Sequence, residues 1–216
     1  MRKTLYLVAF AAAAIVLTIN GLSARRRDWL VVRYEEVLYT KVTVTYGLNQ
    51  RCELSVFEIP SPGSDNGTIS RRSYECRHFP ASVSDRCEKE NKAFCAAWTS
   101  AGYLDQIAIG FGAVSLVAIL FGVSTHSRRR RIWSAVAGLL ILQAAFQIVT
   151  FGIITEMYRS AAYPTFERAR PGLGYVLHTV TWICTVLVAV GVILTGMSAR
   201  AGHKWAAGNR AYHPIA

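Results

Sequence analysis

The chain has 216 residues, of which 52% are apolar, and a formal net charge of +11 at pH 7. This composition argues against an ordinary soluble domain of the same length and indicates a membrane protein. The basic residues flank apolar runs and do not gather in a polar groove. They therefore indicate membrane orientation and attraction to anionic lipid, and exclude nucleic acid as the expected partner.

Four apolar runs contain no Asp, Glu, Lys or Arg, and each has about the 20 residues that a helix needs to cross a bilayer. The runs are residues 4–22, 107–123, 132–154 and 173–197. The spans predicted from them are residues 4–22, 101–124, 132–155 and 173–197.

The first run also resembles a secretory signal peptide, because Arg2 and Lys3 precede it and the small residues Ser23 and Ala24 follow it. Leu22 fits such a cleavage site poorly, and the apolar run is long for a signal core. We expect the run to be retained as a span. Cleavage, which would leave three spans, is the alternative, and in both cases the next segment is exported.

The exported segment comprises residues 23–100. Asn66 begins an Asn-Gly-Thr glycosylation acceptor in a stretch rich in Pro, Ser, Gly and Asp. Four of the five cysteines also lie here, as expected for an oxidising compartment. These four are Cys52, Cys76, Cys87 and Cys95.

A small antiparallel sheet is predicted within this segment. Residues 41–46 and 52–56 alternate apolar and polar side chains, which is the period of a half-buried strand. Gly47 and Leu48 lie in the turn between them, and residues 29–34 form a third candidate strand. A sheet of this size buries too little apolar surface to be stable alone. A disulfide or packing against helices therefore has to contribute to its stability.

Four cysteines allow three pairings, of which we favour Cys52 with Cys76 and Cys87 with Cys95. The first bridge would close a loop of about 25 residues, leave residues 61–72 as an excursion, and contribute ~3 kcal/mol. In a continuous helix Cys87 and Cys95 would lie ~12 Å apart, too far for a disulfide. Either the chain bends between them, or Cys87 precedes the helix, or the pairing differs. Zinc is not expected, because no Cys-x-x-Cys spacing occurs.

Four spans place both termini on one side of the membrane. The segments on that side, including the loop of residues 125–131 and the tail of residues 198–216, carry nine basic residues and no acidic one. This asymmetry predicts that both termini are cytosolic. The second outer loop is then residues 156–172. Its aromatic and basic side chains form a candidate partner-contact surface, or a solvated loop: Tyr158, Arg159, Tyr163, Phe166, Arg168 and Arg170.

Polar residues within the spans have two interpretations. Gln143 and Gln147 lie one turn apart, and His178 lies in the outer half of the fourth span near Thr179 and Thr181. They are compatible with a polar conduit or a proton-responsive site. We favour interhelical hydrogen bonding, because no intramembrane carboxylate is expected to accompany them.

The topology and a short motif together resemble the claudin and peripheral-myelin-protein superfamily, and most of all its fungal claudin-like (Sur7/PalI-type) membrane proteins. The motif comprises Trp29 after the first span, the Gly47-Leu48-x-x-x-Cys52 element and the downstream Cys76. Asn49 stands where the family usually has an aromatic residue, and Cys87 and Cys95 lie outside the family motif. The resemblance implies one tetraspan domain over residues 1–216: an antiparallel four-helix transmembrane bundle carrying a disulfide-clipped extracellular antiparallel β-sheet.

No catalytic motif, phosphate-binding loop or acidic pair was found, so no enzymatic activity and no cofactor are expected. The leading hypothesis is a plasma-membrane protein that organises or senses at the cell surface by self-association or by contacts with other membrane proteins. The alternatives are an accessory subunit of a larger channel, transporter or receptor, and a small-solute channel.

Overall fold

The computed structural model describes residues 3–36, 40–60, 68–124 and 126–207. This part of the chain contains four long α-helices, one short α-helix, one 3-10 turn at Phe166–Arg168 and five strands. The helices are α1 (Lys3–Arg25), α2 (Lys92–Ser124), α3 (His126–Arg159), α4 (Leu173–Arg200) and α5 (Lys204–Ala207). The strands are β1 (Leu30–Glu36), β2 (Thr40–Tyr46), β3 (Gln50–Pro60), β4 (Thr68–His78) and β5 (Ala169–Pro171).

The four long helices contain segments that are long and apolar enough to cross a membrane. These segments are Thr4–Arg25, Lys92–Gly122, Ile132–Arg159 and Leu173–Arg200. Their length and composition indicate an integral membrane protein, as predicted. The helices are longer than the predicted spans, since α2 begins at Lys92 and α3 already begins at His126. Arginine is a good helix former, so most of the predicted loop of residues 125–131 is helical.

The described chain divides into two compact units. The bundle unit comprises Met1–Gly21, Leu104–Val149 and His178–Ala216, and the sheet unit comprises Leu22–Tyr103 and Thr150–Leu177. Each unit has its own cluster of buried apolar side chains.

The sheet is antiparallel throughout, with strand order β4-β3-β2-β1-β5. The two strands predicted by alternation and the third candidate strand are all present, and in β2 every second residue from Thr40 to Tyr46 is buried. β3 continues to Pro60 and β4 begins at Thr68, so the connection between them is shorter than the predicted excursion of residues 61–72. The prediction missed β5, which comes from the second loop and pairs with the start of β1.

The core of the bundle unit is a tightly packed apolar cluster. Its buried side chains include Tyr6, Ile119, Trp133, Leu140 and Val192. Small residues allow the close packing: a Cβ on Gly122 would collide with the Tyr6 ring, and one on Gly196 would collide with the Trp133 ring.

Candidate interaction surface of the sheet unit

Gly47 is required at its position because backbone passes very close to it. The Gly47 amide donates to the Gln50 carbonyl at 2.8 Å, which closes the turn between β2 and β3. A Cβ on Gly47 would lie 2.7 Å from the Arg26 carbonyl oxygen and 3.0 Å from the Arg27 Cα. Any larger residue would push the segment before β1 away from this turn.

The other motif residues before the first cysteine lie in the core of the sheet unit. The Trp29 side chain is fully buried, and its indole N–H donates to the Ser23 carbonyl at 2.9 Å. Leu48 is also buried, and its carbonyl accepts from the Trp98 indole at 3.2 Å. The motif therefore ties the turn to the helical segments of this unit.

Both disulfides of the structure follow the sequential pairing. Cys52 and Cys76 are direct cross-strand partners on β3 and β4, and they are bonded to each other. Cys87 and Cys95 are bonded with their Cα atoms 5.6 Å apart. This second bridge is possible because the helix begins only at Lys92, so Cys87 lies in the preceding turns.

One side of the sheet is covered by a cluster of aromatic rings. Phe79 lies 5.1 Å from Tyr46 and 5.4 Å from Trp98 between ring centroids. Tyr163 and Phe166, which the sequence assigned to a candidate contact surface, are 8% and 1% exposed and pack in this cluster. That part of the prediction was wrong, because these loop residues fill the unit's own core. Arg159, Arg168 and Arg170 of the same loop are exposed.

A buried carboxylate fixes the two loops of this unit to each other. Asp85 is 1% exposed and accepts four hydrogen bonds: two from Arg77 at 2.6 and 2.5 Å, one from the Ala81 amide at 2.7 Å and one from the Tyr163 hydroxyl at 2.7 Å. Burial alone would raise the pKa of the Asp85 carboxyl, but these hydrogen bonds outweigh it and lower the pKa. Burial, together with the Asp85 charge, raises the pKa of Tyr163.

The opposite side of the sheet carries the side chains that alternate with the buried ones, and we call it the outward face. At its centre Leu54 lies opposite Thr43 on one side and Tyr74 on the other. Tyr74 is 58% exposed, and Arg27 donates to its hydroxyl at 3.5 Å. The strand register places the acidic Glu35 on this face together with several basic residues. The basic residues on this face include Arg33, Lys41, Arg72 and Arg170.

A groove of about 780 Å³ lies at the β1–β5 end of the sheet. Its lining includes Arg33, Arg168 and Arg170, with Glu167 as the acidic residue and Val31 as an apolar one. Three guanidinium groups around one concave surface suit carboxylate or phosphate groups of a partner.

The remaining predicted residues lie elsewhere. Asn66 lies outside the described residues. Gln143, Gln147 and His178 are buried in the bundle unit, where the carbonyl of Gln147 lies 3.0 Å from His178 Nε2. Among the residues that the structure describes, no group of three or more His, Cys, Asp or Glu is placed to hold a metal ion.

The sequence analysis missed a carboxylate among these bundle residues. Asp105 is fully buried on α2, and its Oδ1 lies 3.4 Å from His178 Nδ1. The expectation that no intramembrane carboxylate accompanies these polar residues was therefore wrong. Asp105 stands two residues before the apolar run, which hid it, but Asp105, Ala108, Gly112 and Ser115 follow a helical spacing of small or polar residues that marks a buried helix face.

No protein-family model matches this chain, and no curated protein matches it.

Proposed function

We propose that this chain is a non-enzymatic, claudin-like membrane protein that organises or senses at the cell surface through contacts of its outward face. One observation carries the proposal: the side of the sheet opposite the aromatic core presents an exposed Tyr74 beside Leu54 and Val56, surrounded by basic side chains. An exposed aromatic residue with arginines around it is the composition of a protein-binding surface.

The Cys87–Cys95 disulfide and the Asp85 hydrogen bonds support this assignment, because they hold the sheet unit in one conformation without using the outward face. The Cys52–Cys76 disulfide joins β3 to β4 on that face, next to Leu54 and Tyr74, and fixes these two strands to each other. A rigid, pre-organised surface loses less conformational entropy when it binds. The resemblance to claudin-like proteins points in the same direction, toward lateral and intercellular contacts at a plasma membrane with both termini cytosolic.

Self-association of the purified protein tests the proposal. Chains labelled with donor and acceptor dyes are placed in one population of vesicles to measure lateral contact, and in two populations to measure contact across membranes. We expect Tyr74→Ser to weaken the association by about fivefold or more, as removal of a central aromatic anchor does. Val83→Ser is the matched control, since Val83 is 88% exposed and lies outside the sheet.

Equal association of the wild type and the Tyr74→Ser variant would contradict a role for the outward face. If the protein shows no self-association, purification in mild detergent from its native membrane decides the next step. A single foreign protein recovered in a fixed ratio would favour the accessory-subunit function over the organiser.

The accessory-subunit alternative is favoured by the arginine-lined groove at the β1–β5 end of the sheet. In that case an acidic segment of a larger membrane protein would bind there. Arg33→Glu and Arg168→Glu would then each abolish recovery of the partner, and Lys89→Glu, an exposed residue outside the groove, would not.

The channel alternative has less support. The buried polar residues of the bundle unit are accompanied by the tightly packed apolar cluster around Ile119, Trp133 and Leu140. A continuous polar path through the bundle would have to cross that cluster. Flux into liposomes that is unchanged when Gln143, Gln147 and His178 are all replaced by Leu would rule the alternative out.

A further inference from the structure

Each long helix of the bundle unit contributes at least one polar side chain to a single buried cluster. Four of its residues are Asn20 on α1, Asp105 on α2, Gln147 on α3 and His178 on α4, and all four are 0% exposed. Thr185 of α4 is buried beside them and donates to the Gln147 side chain at 2.9 Å. The cluster lies in helices of membrane-spanning length. Ionisable residues in such a position are costly, and a role beyond packing is the first hypothesis for them.

The hydrogen bond on one side of the imidazole fixes where its proton lies. His178 Nε2 is 3.0 Å from the carbonyl oxygen of Gln147, and a carbonyl oxygen can only accept a hydrogen bond. Nε2 therefore carries a hydrogen. In a neutral imidazole the other nitrogen, Nδ1, would then carry a lone pair and no hydrogen, so it could only accept a hydrogen bond.

That second nitrogen faces the carboxylate. Nδ1 of His178 lies 3.4 Å from Oδ1 of Asp105. Without a proton between them, a nitrogen lone pair and a carboxylate oxygen would point at each other, which is repulsive. With one proton, carried on either atom, the contact becomes attractive.

The charge of the cluster also indicates that one proton lies on the pair. Within the described residues, neither oxygen of Asp105 has a complete hydrogen bond, although the Asn20 side chain lies beside the carboxylate. The neighbours from α1 and α3, Asn20 and Gln147, are neutral amides and cannot balance a negative charge. A net charge buried within membrane-spanning helices is strongly disfavoured.

We propose that Asp105 and His178 form a proton-binding site in the bundle unit, where one proton is held between the carboxylate and the imidazole and keeps the pair electrically neutral. Nothing in the outward face or its contacts requires this site, so it is a second function of the chain. Asp105 lies on α2 and His178 lies on α4, so gain or loss of the proton changes a contact between these two helices.

Vibrational and magnetic-resonance spectra of the purified protein in lipid nanodiscs test the proposal. Carbon-13 in aspartate reports whether Asp105 is a carboxylic acid or a carboxylate, and nitrogen-15 in histidine reports the protonation of each ring nitrogen of His178. The assignment comes from Asp105→Asn and His178→Gln, with His203→Gln as the matched control because His203 is exposed.

We expect the pair to hold one proton at neutral pH, with Asp105 protonated beside a neutral His178 or Asp105 ionised beside a doubly protonated His178. We also expect His178 to be protonated on Nε2 in both cases, and the Asp105→Asn variant to bind one proton fewer than the wild type. The His203→Gln variant should bind the same proton at the pair as the wild type.

An ionised Asp105 facing a neutral His178 would overturn the proposal. So would signals of the pair that respond to sodium or potassium concentration at fixed pH, because a metal cation would then be the ligand. If a variant fails to fold, the labelled wild-type protein alone still decides the matter, since its aspartate and histidine signals give the number of protons on the pair directly.

Discussion

The sheet unit and the bundle unit each bury one aspartate among the residues that the structure describes, and the two carboxylates have opposite surroundings. Asp85 in the sheet unit accepts four hydrogen bonds, two of them from a guanidinium group. Asp105 in the bundle unit has an imidazole nitrogen at 3.4 Å and no complete hydrogen bond among the described residues. One carboxylate is therefore compensated as an anion, and the other is not.

This difference separates a structural carboxylate from one that is suited to exchange a proton. Arg77 is always charged, so Asp85 has a permanent counter-ion. Histidine, unlike arginine, has both a neutral and a charged form, so the charge that faces Asp105 can change. The same residue type thus stabilises a fold in one unit and forms a proton site in the other.

Replacing Asp85 is expected to have the largest effect. Asp85→Asn removes the negative charge but keeps the shape, and leaves Arg77 without its counter-ion and the Tyr163 hydroxyl without its charged acceptor. We expect the free energy of unfolding to fall by about 2 kcal/mol, below the usual cost of breaking a buried pair because Arg77 is partly exposed. Thermal unfolding in detergent measures it.

Glu88→Gln is the control for that experiment, because Glu88 is an exposed acidic residue three positions away. It should unfold at the wild-type temperature. If both variants lose the same stability, general electrostatics and not the Asp85 hydrogen bonds would be responsible.

Acid should destabilise the wild type by the same mechanism, because protonation of Asp85 removes its negative charge. The loss of stability should be smaller than in Asp85→Asn over most of the pH range in which unfolding can be measured. The pKa of Asp85 is lowered in the folded state, so its contribution is complete above the ordinary value of 3.8 and is lost as the pH falls below it. The unfolding temperature of the wild type should therefore approach that of Asp85→Asn as the pH falls to about 3. A constant gap between the two proteins from neutral pH to acid would contradict the assignment.

The sequence was sufficient to predict the parts of the fold that have a strong period. Alternation located β2 and the start of β3, a short apolar and aromatic run suggested β1, and apolar length located the four long helices. β4 has no such signal, because it is an edge strand and its side chains from Arg71 to Cys76 are exposed on both sides. β5 has only three residues, and its place in the sheet depends on pairing with the distant β1.

The buried loop residues of the sheet unit were harder to predict, for physical reasons. Tyr163 and Phe166 lie in a loop, where exposure is the usual expectation, yet they complete the core of the sheet unit. Asp85 accepts hydrogen bonds from Arg77 in its own loop and from Tyr163 in the other loop, 78 residues away. Hydrogen bonds between residues so far apart in sequence leave no local pattern.

The smallest effect on stability is expected for the same isosteric change in the bundle unit. Asp105→Asn removes a carboxylate whose partner is an imidazole. If the wild-type pair holds its proton on Asp105, the amide replaces a neutral group of the same shape. If the proton is on His178, the imidazole can release it and become neutral. Arg77 has no such option in the Asp85→Asn variant, because a guanidinium group does not lose its proton in a protein.

Wherever the wild-type proton lies, the Asp105→Asn variant contains no buried charge without a counter-ion at this site. Its free energy of unfolding at neutral pH should therefore differ from that of the wild type by less than about 1 kcal/mol. Thermal unfolding of Asp85→Asn and Asp105→Asn in the same detergent makes the comparison directly. A loss at Asp105 as large as the loss at Asp85 would mean that the bundle carboxylate is a structural anion whose donors are as important as those of Asp85. A small loss, combined with one bound proton fewer, would leave proton binding as the role that distinguishes Asp105 from Asp85.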